Sequence, residues 1–250
     1  LPTSAIVEAV IAGGEDNVLA GLKPGTIVIE MSSGVPSVTQ RLAQDVAARG
    51  GVMIDGPVSG GVPRAKTGQL AIMVGGDAAA IDKAMPVLSA MGSSVLRTGA
   101  VGSGQAMKAL NNLVSTGGFL IGIEALLIGQ RFGLDAGVMT DVLNAATGMN
   151  NSTVKKFRQY VLSRSFDAGF TMGLLAKDLS IALQVAREAD VLIAVGSTLQ
   201  VYPVAGAVPL AKRAGAKLVI LNAQATQFDD IADAVLNTSI GEALPFLCGA

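Results

Sequence analysis

Histidine is missing from all 250 residues, and with it go Ser-His-Asp triads, Cys-His pairs and every His-ligated zinc or iron site. A single cysteine, Cys248, leaves no disulfide framework and no CxxC cluster. No metal site is therefore expected, and the composition suits a reducing, cytoplasmic setting. There is no tryptophan and there are only two tyrosines, too few platforms for stacking bases. Charge is scarce too: 15% of residues carry one, the net formal charge is −1, and no block of Lys or Arg stands out. Nucleic acid and membrane are not expected partners. Whatever chemistry occurs must rest on Lys, Ser, Asn, Asp, Glu or a bound cofactor.

What is present is apolar. Half the residues are hydrophobic and 31 are glycine, the profile of a packed α/β protein. The chain opens Leu1-Pro2 rather than with Met, which reads as a shortened or processed chain, and no signal-peptide pattern follows. Residues 191–211 carry no charge over a length that nominally spans a bilayer. Gly196, Ser197, Thr198, Gln200, Pro203 and Pro209 interrupt that stretch, so it reads as a strand, a loop and a helix start.

Three regions emerge from the patterning. Over residues 1–100, short apolar runs (TIVIEM at 26–31, then GVMIDGP, LAIMVGG and SVLRTG) alternate with helical stretches. Pro36 suits a first helical turn, Gly50 a helix end and Asp77 a helix N-cap. Alternation of this kind predicts right-handed crossovers and a largely parallel, partial Rossmann-like sheet. Residues 101–189 read as all helical. One pattern runs from Gly102 to Gly133, on the order of 45 Å at 1.5 Å per residue, and is apolar nearly all round. It should lie buried in a helical domain or a subunit interface. Helices are expected near 135–147 (Asp135 as cap), 152–163 and 171–189. Residues 190–250 revert to a short α/β tail, with strands at 191–196, 216–222 and 233–237 and a helix near 203–214.

Two constellations could carry chemistry. In DGPVSGG (55–61), Ser59, Gly60 and Gly61 offer a hydroxyl and unhindered N–H groups where the chain leaves a strand, which suits a carboxylate or phosphate oxygen; an ordinary Gly-rich turn would look the same. Lys108 and Asn112 stand four apart on the long helix, hence on one face. Desolvation there would lower the lysine pKa toward the range useful for proton transfer, whereas the bland alternative is a snorkelling Lys beside an interface Asn. Lys177-Asp178 reads as a solvated surface pair, Arg64 and Lys66 as an exposed turn, and Glu124 as half of an interhelical ion pair.

Together DGPVSGG, LAIMVGG, MGSSV, GAVGSGQAMKALNN and AKDL resemble the β-hydroxyacid dehydrogenases in order and spacing over residues 1 to about 189. The resemblance implies oxidation of a small 3-hydroxy acid, of the 3-hydroxyisobutyrate or glycerate/tartronate semialdehyde type, with NAD or NADP. It assigns Lys108 as general acid/base, Ser59, Gly60 and Gly61 to the substrate carboxylate, and Asn112 to the reacting oxygen. It also puts Leu1, Pro2, Ser33 and Lys177 beside the cofactor. The family's GxGxxG segment is not in this sequence, so weak cofactor binding is expected. From about residue 190 the chain resembles the end of a sirtuin, with Gly196-Ser197-Thr198-Leu199 and Asn222-Ala223-Gln224-Ala225-Thr226 standing for that family's NAD-contacting segments. That suggests a chimera. The long apolar helix needs cover, so a homo-oligomer is expected. The rivals are a chimeric remnant with an assembly role and a cofactor-free hydrolase. The latter lacks both a GxSxG elbow and a histidine base.

Overall fold

A computed structural model describes residues 1–187, 191–195, 199, 204–239 and 243. The chain divides into two compact units, Leu1–Ile181 and Ala182–Ala250.

The first unit begins with two helices that the patterning did not reveal, α1 (Ser4–Ala12) and α2 (Val18–Gly21), capped by the side chains of Thr3 and Asn17. The apolar run after Pro24-Gly25 becomes β1 (Ile27–Glu30). Pro36 opens α3 (Pro36–Ala48) as expected, and Gly50 takes φ +76° just beyond its end. β2 (Val52–Asp55) lies parallel to β1, with Ile27 opposite Val52 and Glu30 opposite Asp55.

The sheet is largely parallel, as expected, but changes direction here. β3 (Val58–Ser59) follows two residues after β2, and α4 (Gly61–Lys66) is only six residues long. β4 (Leu70–Gly75) then runs antiparallel to both β2 and β3. A parallel crossover needs a dozen or more residues, and this connection is too short to make one. Asp77 caps α5 (Ala78–Met91), a full crossover helix, and β5 (Gly92–Gly99) accordingly pairs parallel with β4. Adjacent residues of β2 face opposite sides of the sheet. Ile54 joins Ile72, Val74, Ile81 and Leu88 in one core layer, while Met53 joins Val7, Leu42 and Val46 in the other.

The helical part follows. α6 (Ser103–Phe132) has 30 residues, and Asp135 caps α7 (Ala136–Ala145). Residues 153–162, expected as an ordinary helix, form a π-helix (Thr153–Leu162), and α8 (Met172–Arg187) ends this part. Phe157 of the π-helix is buried against Gly122 of α6, where an added Cβ would strike its ring at 2.6 Å. α6 is the one described helix long and apolar enough to cross a membrane. It packs on β4 and buries Gln105 and Lys108, but Val114, Ile121 and Ile128 are exposed, so it is not buried all round within this unit. Glu124, expected in an ion pair, is exposed and needs none.

In the second unit β6 (Val191–Val195), β7 (Lys217–Leu221) and β8 (Ala234–Leu236) pair parallel in that order, and α9 (Val204–Arg213) packs on β6 and β7. Leu199, Val208, Leu218 and Ile220 form its core. The uncharged stretch 191–211 thus contains a strand and the start of a separate helix, as its prolines suggested. Gly196, Ser197, Thr198 and Cys248 lie outside the described residues. The Asn222 side-chain amide donates to the Gln224 carbonyl at 2.8 Å.

Candidate active site

The site grows from the seat of α6. Asp55 is wholly buried at the end of β2; its Oδ1 accepts from the Gly102 N–H at 2.7 Å and its Oδ2 from the Gln105 N–H at 2.8 Å. A carboxylate at a helix N-terminus satisfies otherwise orphaned donors and the helix dipole. Burial pushes the Asp55 pKa up, and these backbone hydrogen bonds work against that. Gly104 meets β4 so closely that a Cβ would strike the Met73 carbonyl and come within 2.7 Å of Asp55 Oδ2. The first turn of α6 is therefore fixed on the sheet beside the carboxyl ends of β1 and β2, the edge where open α/β sheets receive ligands.

One turn further on, Lys108 is 8% exposed. Its Nζ donates to Asn112 Oδ1 at 3.2 Å, and Asn112 Nδ2 donates to Asp178 Oδ2 at 2.5 Å. Asn111 also donates to Asn112 Oδ1, at 3.1 Å, which fixes the Asn112 amide from both ends. Desolvation lowers the Lys108 pKa below the ordinary lysine value, and the nearby Lys177 charge lowers it further, while Asp178 pulls the other way. A buried amine so balanced can both take and return a proton.

Lys177 reaches the same place from α8. Its Nζ donates to the Ser33 carbonyl at 2.8 Å and the Pro2 carbonyl at 3.4 Å. It also lies 3.0 Å from Asp178 Oδ1, at an angle that makes an ion pair and leaves that oxygen without a hydrogen bond. The Leu1 amino group donates to Ser32 Oγ at 3.0 Å. Leu1, Pro2, Ser33 and Lys177 are thus gathered around the loop that follows β1. The reading of Lys177-Asp178 as a solvated pair is corrected: Asp178 is 4% exposed, turned inward under Asn112.

Ser59, Gly60 and Gly61 sit where β3 passes into α4. Ser59 pairs with Ala71 of β4, Gly60 has φ +135° and Gly61 φ +65°. A Cβ on Gly60 would fall 2.6 Å from the Arg64 side chain, whose stem lies over the loop. No hydrogen bond joins these three residues to Lys108 or Asn112 among the described residues. Their link is β4 itself, which carries Ala71 opposite Ser59 and, two residues on, Met73 under Gly104. Arg64 and Lys66 are exposed, as read. Two buried residues escaped the sequence reading, Asp178 and Gln105. Gln105, Lys108, Asn112 and Thr116 form a polar stripe at helical spacing inside an apolar helix, and that stripe was the available signal for Gln105.

The sheet and its helices define an α/β, Rossmann-like protein with a helical region appended, and comparison with known proteins says which. A family model described as the NAD binding domain of 6-phosphogluconate dehydrogenase matches residues 1–100. One described as the NAD-binding of NADP-dependent 3-hydroxyisobutyrate dehydrogenase matches residues 102–214, running past the point where the sequence reading ended the resemblance. 2-(Hydroxymethyl)glutarate dehydrogenase of Eubacterium barkeri is 37% identical over 191 residues, 76% of this chain and 63% of its own length. NAD-dependent L-serine dehydrogenase of Pseudomonas aeruginosa is 35% identical over 193 residues, 75% of this chain and 64% of its own. The chain thus spans less than two thirds of these relatives. Mycobacterium tuberculosis 3-hydroxyisobutyrate dehydrogenase, solved with L-serine, superposes with TM-score 0.68 at 30% identity, over 86% of this chain and 69% of that one. The chain belongs to the β-hydroxyacid dehydrogenase family.

Proposed function

We propose that this chain is an NAD- or NADP-dependent oxidoreductase acting on small 3-hydroxy acids, with Lys108 as the acid/base. The observation that carries the reading is a buried amine hydrogen-bonded to Asn112, itself held by Asp178, beside a second lysine pinned to the loop after β1. Leu1, Pro2, Ser33 and Lys177 fit the nicotinamide end of the cofactor. They meet beside the carboxyl end of a parallel strand pair, where Asp178 Oδ1 is ion-paired with Lys177 and accepts no hydrogen bond. These residues would hold a nicotinamide cofactor, which would supply the hydride chemistry. In the oxidation direction neutral Lys108 takes the hydroxyl proton, Asn112 orients the hydroxyl, and Asp178 favours the ammonium that forms. The Ser59–Gly61 loop supplies a hydroxyl and open N–H groups to the substrate carboxylate. Residues 1–100, joined by Lys177, thus hold cofactor and carboxylate, and residues 101–189 bring the acid/base.

The relatives named above act on, or are solved with, molecules that share one core: a primary alcohol on the carbon next to the one bearing a carboxylate. L-Serine, 3-hydroxyisobutyrate and 2-(hydroxymethyl)glutarate differ only in the other group on that carbon. We extend this substrate class to the present chain, and with it self-association through the apolar outer face of α6. The test is the nicotinamide absorbance change when the chain meets NAD or NADP with each of these three acids. Turnover of at least one is expected, with its loss in Lys108→Ala. No turnover of any, from folded protein at millimolar substrate and cofactor, overturns the reading.

A further inference from the structure

Beneath the Lys108 cluster lies a second buried polar group that the reaction does not use. Gln105 is 1% exposed and Glu30, at the end of β1, is 5% exposed. The Gln105 side-chain amide makes three contacts. Its oxygen accepts from the Gly34 N–H at 2.8 Å, and its nitrogen donates to the Ser32 carbonyl at 2.8 Å and to Glu30 Oε2. Glu30 Oε1 in turn accepts from the Ser32 N–H at 2.7 Å. One amide from α6 therefore holds the loop on both sides of Ser33, and the Ser33 carbonyl is the one that receives Lys177. Lys108 follows Gln105 by three residues on the same face of the helix.

We propose that Gln105, backed by Glu30, is a positioning residue that clamps the 32–34 loop to the first turn of α6, so that Lys177 and Lys108 are held in fixed relation. The proposal rests on the dehydrogenase reading above only for its catalytic consequence. The clamp is a physical statement about the free chain. A fully satisfied buried amide of this kind rigidifies what it joins; its loss leaves the Gly34 N–H without its partner and takes from Glu30 the hydrogen bond to α6, leaving only those from Ser32. The supporting shell of a site is what keeps reactive groups within a fraction of an ångström of the productive geometry.

The test uses three proteins: the wild type, Gln105→Met, and the exchanged pair Glu30→Gln/Gln105→Glu. The exchange keeps the hydrogen bond between the two side chains and the one from the Gly34 N–H, but a carboxylate at 105 has no N–H for the Ser32 carbonyl. Each is labelled with trace acetic anhydride, and Lys177 acylation is read by mass spectrometry against exposed Lys23. In Gln105→Met, Lys177 labelling should rise about fivefold, the size expected for losing one ordinary hydrogen bond. In the exchanged pair it should fall below the Gln105→Met level without reaching wild type, because two of the three contacts are kept. In turnover, Gln105→Met should lower kcat roughly 10- to 100-fold with KM for the acid nearly unchanged, and the exchange should restore part of kcat. Folded Gln105→Met with wild-type labelling overturns the clamp, and so does a folded exchanged pair labelled as highly as Gln105→Met. Should the variants not fold, the wild type still decides: the Gly34 N–H must exchange slowly with solvent, and fast exchange overturns the proposal. A wild type that turns over nothing yet shows the labelling pattern refutes the dehydrogenase reading and leaves the clamp standing.

Discussion

The two faces of α6 invert the usual amphipathic helix. Gln105, Lys108, Asn112 and Thr116 line one face and make their hydrogen bonds inward, to β1, α8 and the helix's own backbone. On the opposite face Met107, Val114, Ile121 and Ile128 point to solvent, with Val114 76% and Ile128 70% exposed. A helix stabilised by hydrophobic burial alone would be turned the other way. Burying the polar stripe is tolerable only because each group has a partner, as buried polar groups require. Exposing the apolar stripe has no counterpart within the unit, and exposed apolar patches of this kind mark surfaces that another molecule covers. On the proposed reading the inner face serves chemistry and the outer face serves assembly.

The largest effect belongs to the inner face. Lys108→Ala should reduce kcat by about 10²- to 10⁴-fold, the usual cost of removing a positioned acid/base. It should not cost stability at neutral pH. The folded pKa of Lys108 is lowered, so the unfolded chain binds more protons in the window below the ordinary lysine value, and wild-type stability rises with pH across that window. The alanine variant should flatten that rise in denaturant titrations. A variant that keeps most of its rate would leave the inner stripe as mere packing.

Two glycines of α6 differ in the same way. At Gly104 a Cβ would strike the Met73 carbonyl and Asp55, both fixed groups; at Gly117 it would meet nothing within 4 Å. Gly104→Ala should destabilise the fold by about 1–3 kcal/mol through overpacking. Gly117→Ala should stabilise it by up to about 1 kcal/mol, because alanine is the better helix former. Urea midpoints of the two variants check both signs. Equal midpoints would mean that the first turn of α6 is not pressed on the sheet.

How much of this was legible beforehand follows from which interactions are local. The caps at Asp77 and Asp135, the prolyl start at Pro36 and the extent of α6 are short-range chemistry, and the sequence reading placed them. The antiparallel β4 depended on a connection only ten residues long between Ser59 and Leu70, which the eye for alternating runs passed over. α1, apolar on nearly every side except at Glu8, had no clear helical period to read. The spacing of Lys108 and Asn112 was visible because one helix holds both. Asp178 was not, since neighbouring opposite charges look like a surface pair until another element covers them. Gln105 and Glu30 meet across 75 positions, and only tertiary structure brings them together.

The outer face of α6 responds to charge. Ile121→Lys/Ile128→Lys should weaken self-association at least about tenfold, roughly 1.4 kcal/mol, while turnover per chain changes little. Light scattering over a dilution series measures this. A wild type that is a monodisperse monomer at micromolar concentration would show that the exposed stripe needs no copy of itself.

The smallest effect is a displaced curve rather than a lost rate. Asp178→Asn keeps an oxygen that can accept from Asn112 Nδ2 but removes the one charge that favours protonated Lys108. Burial and the Lys177 charge, both lowering, would then act unopposed. Oxidation needs the neutral amine, so its rate climbs as pH rises through the Lys108 pKa, and the acid limb of kcat/KM should move to lower pH in the variant. The reverse reduction needs the ammonium, so its alkaline limb should move the same way. The plateau of the oxidation profile should fall only modestly, because Asn112 keeps a partner. Were the two limbs to stay where they are in the wild type, Lys108 would not be the titrating group. Were they to move to higher pH, the balance of charges around the amine would be opposite to the one described, and the inner face of α6 would owe its polarity to something other than proton transfer.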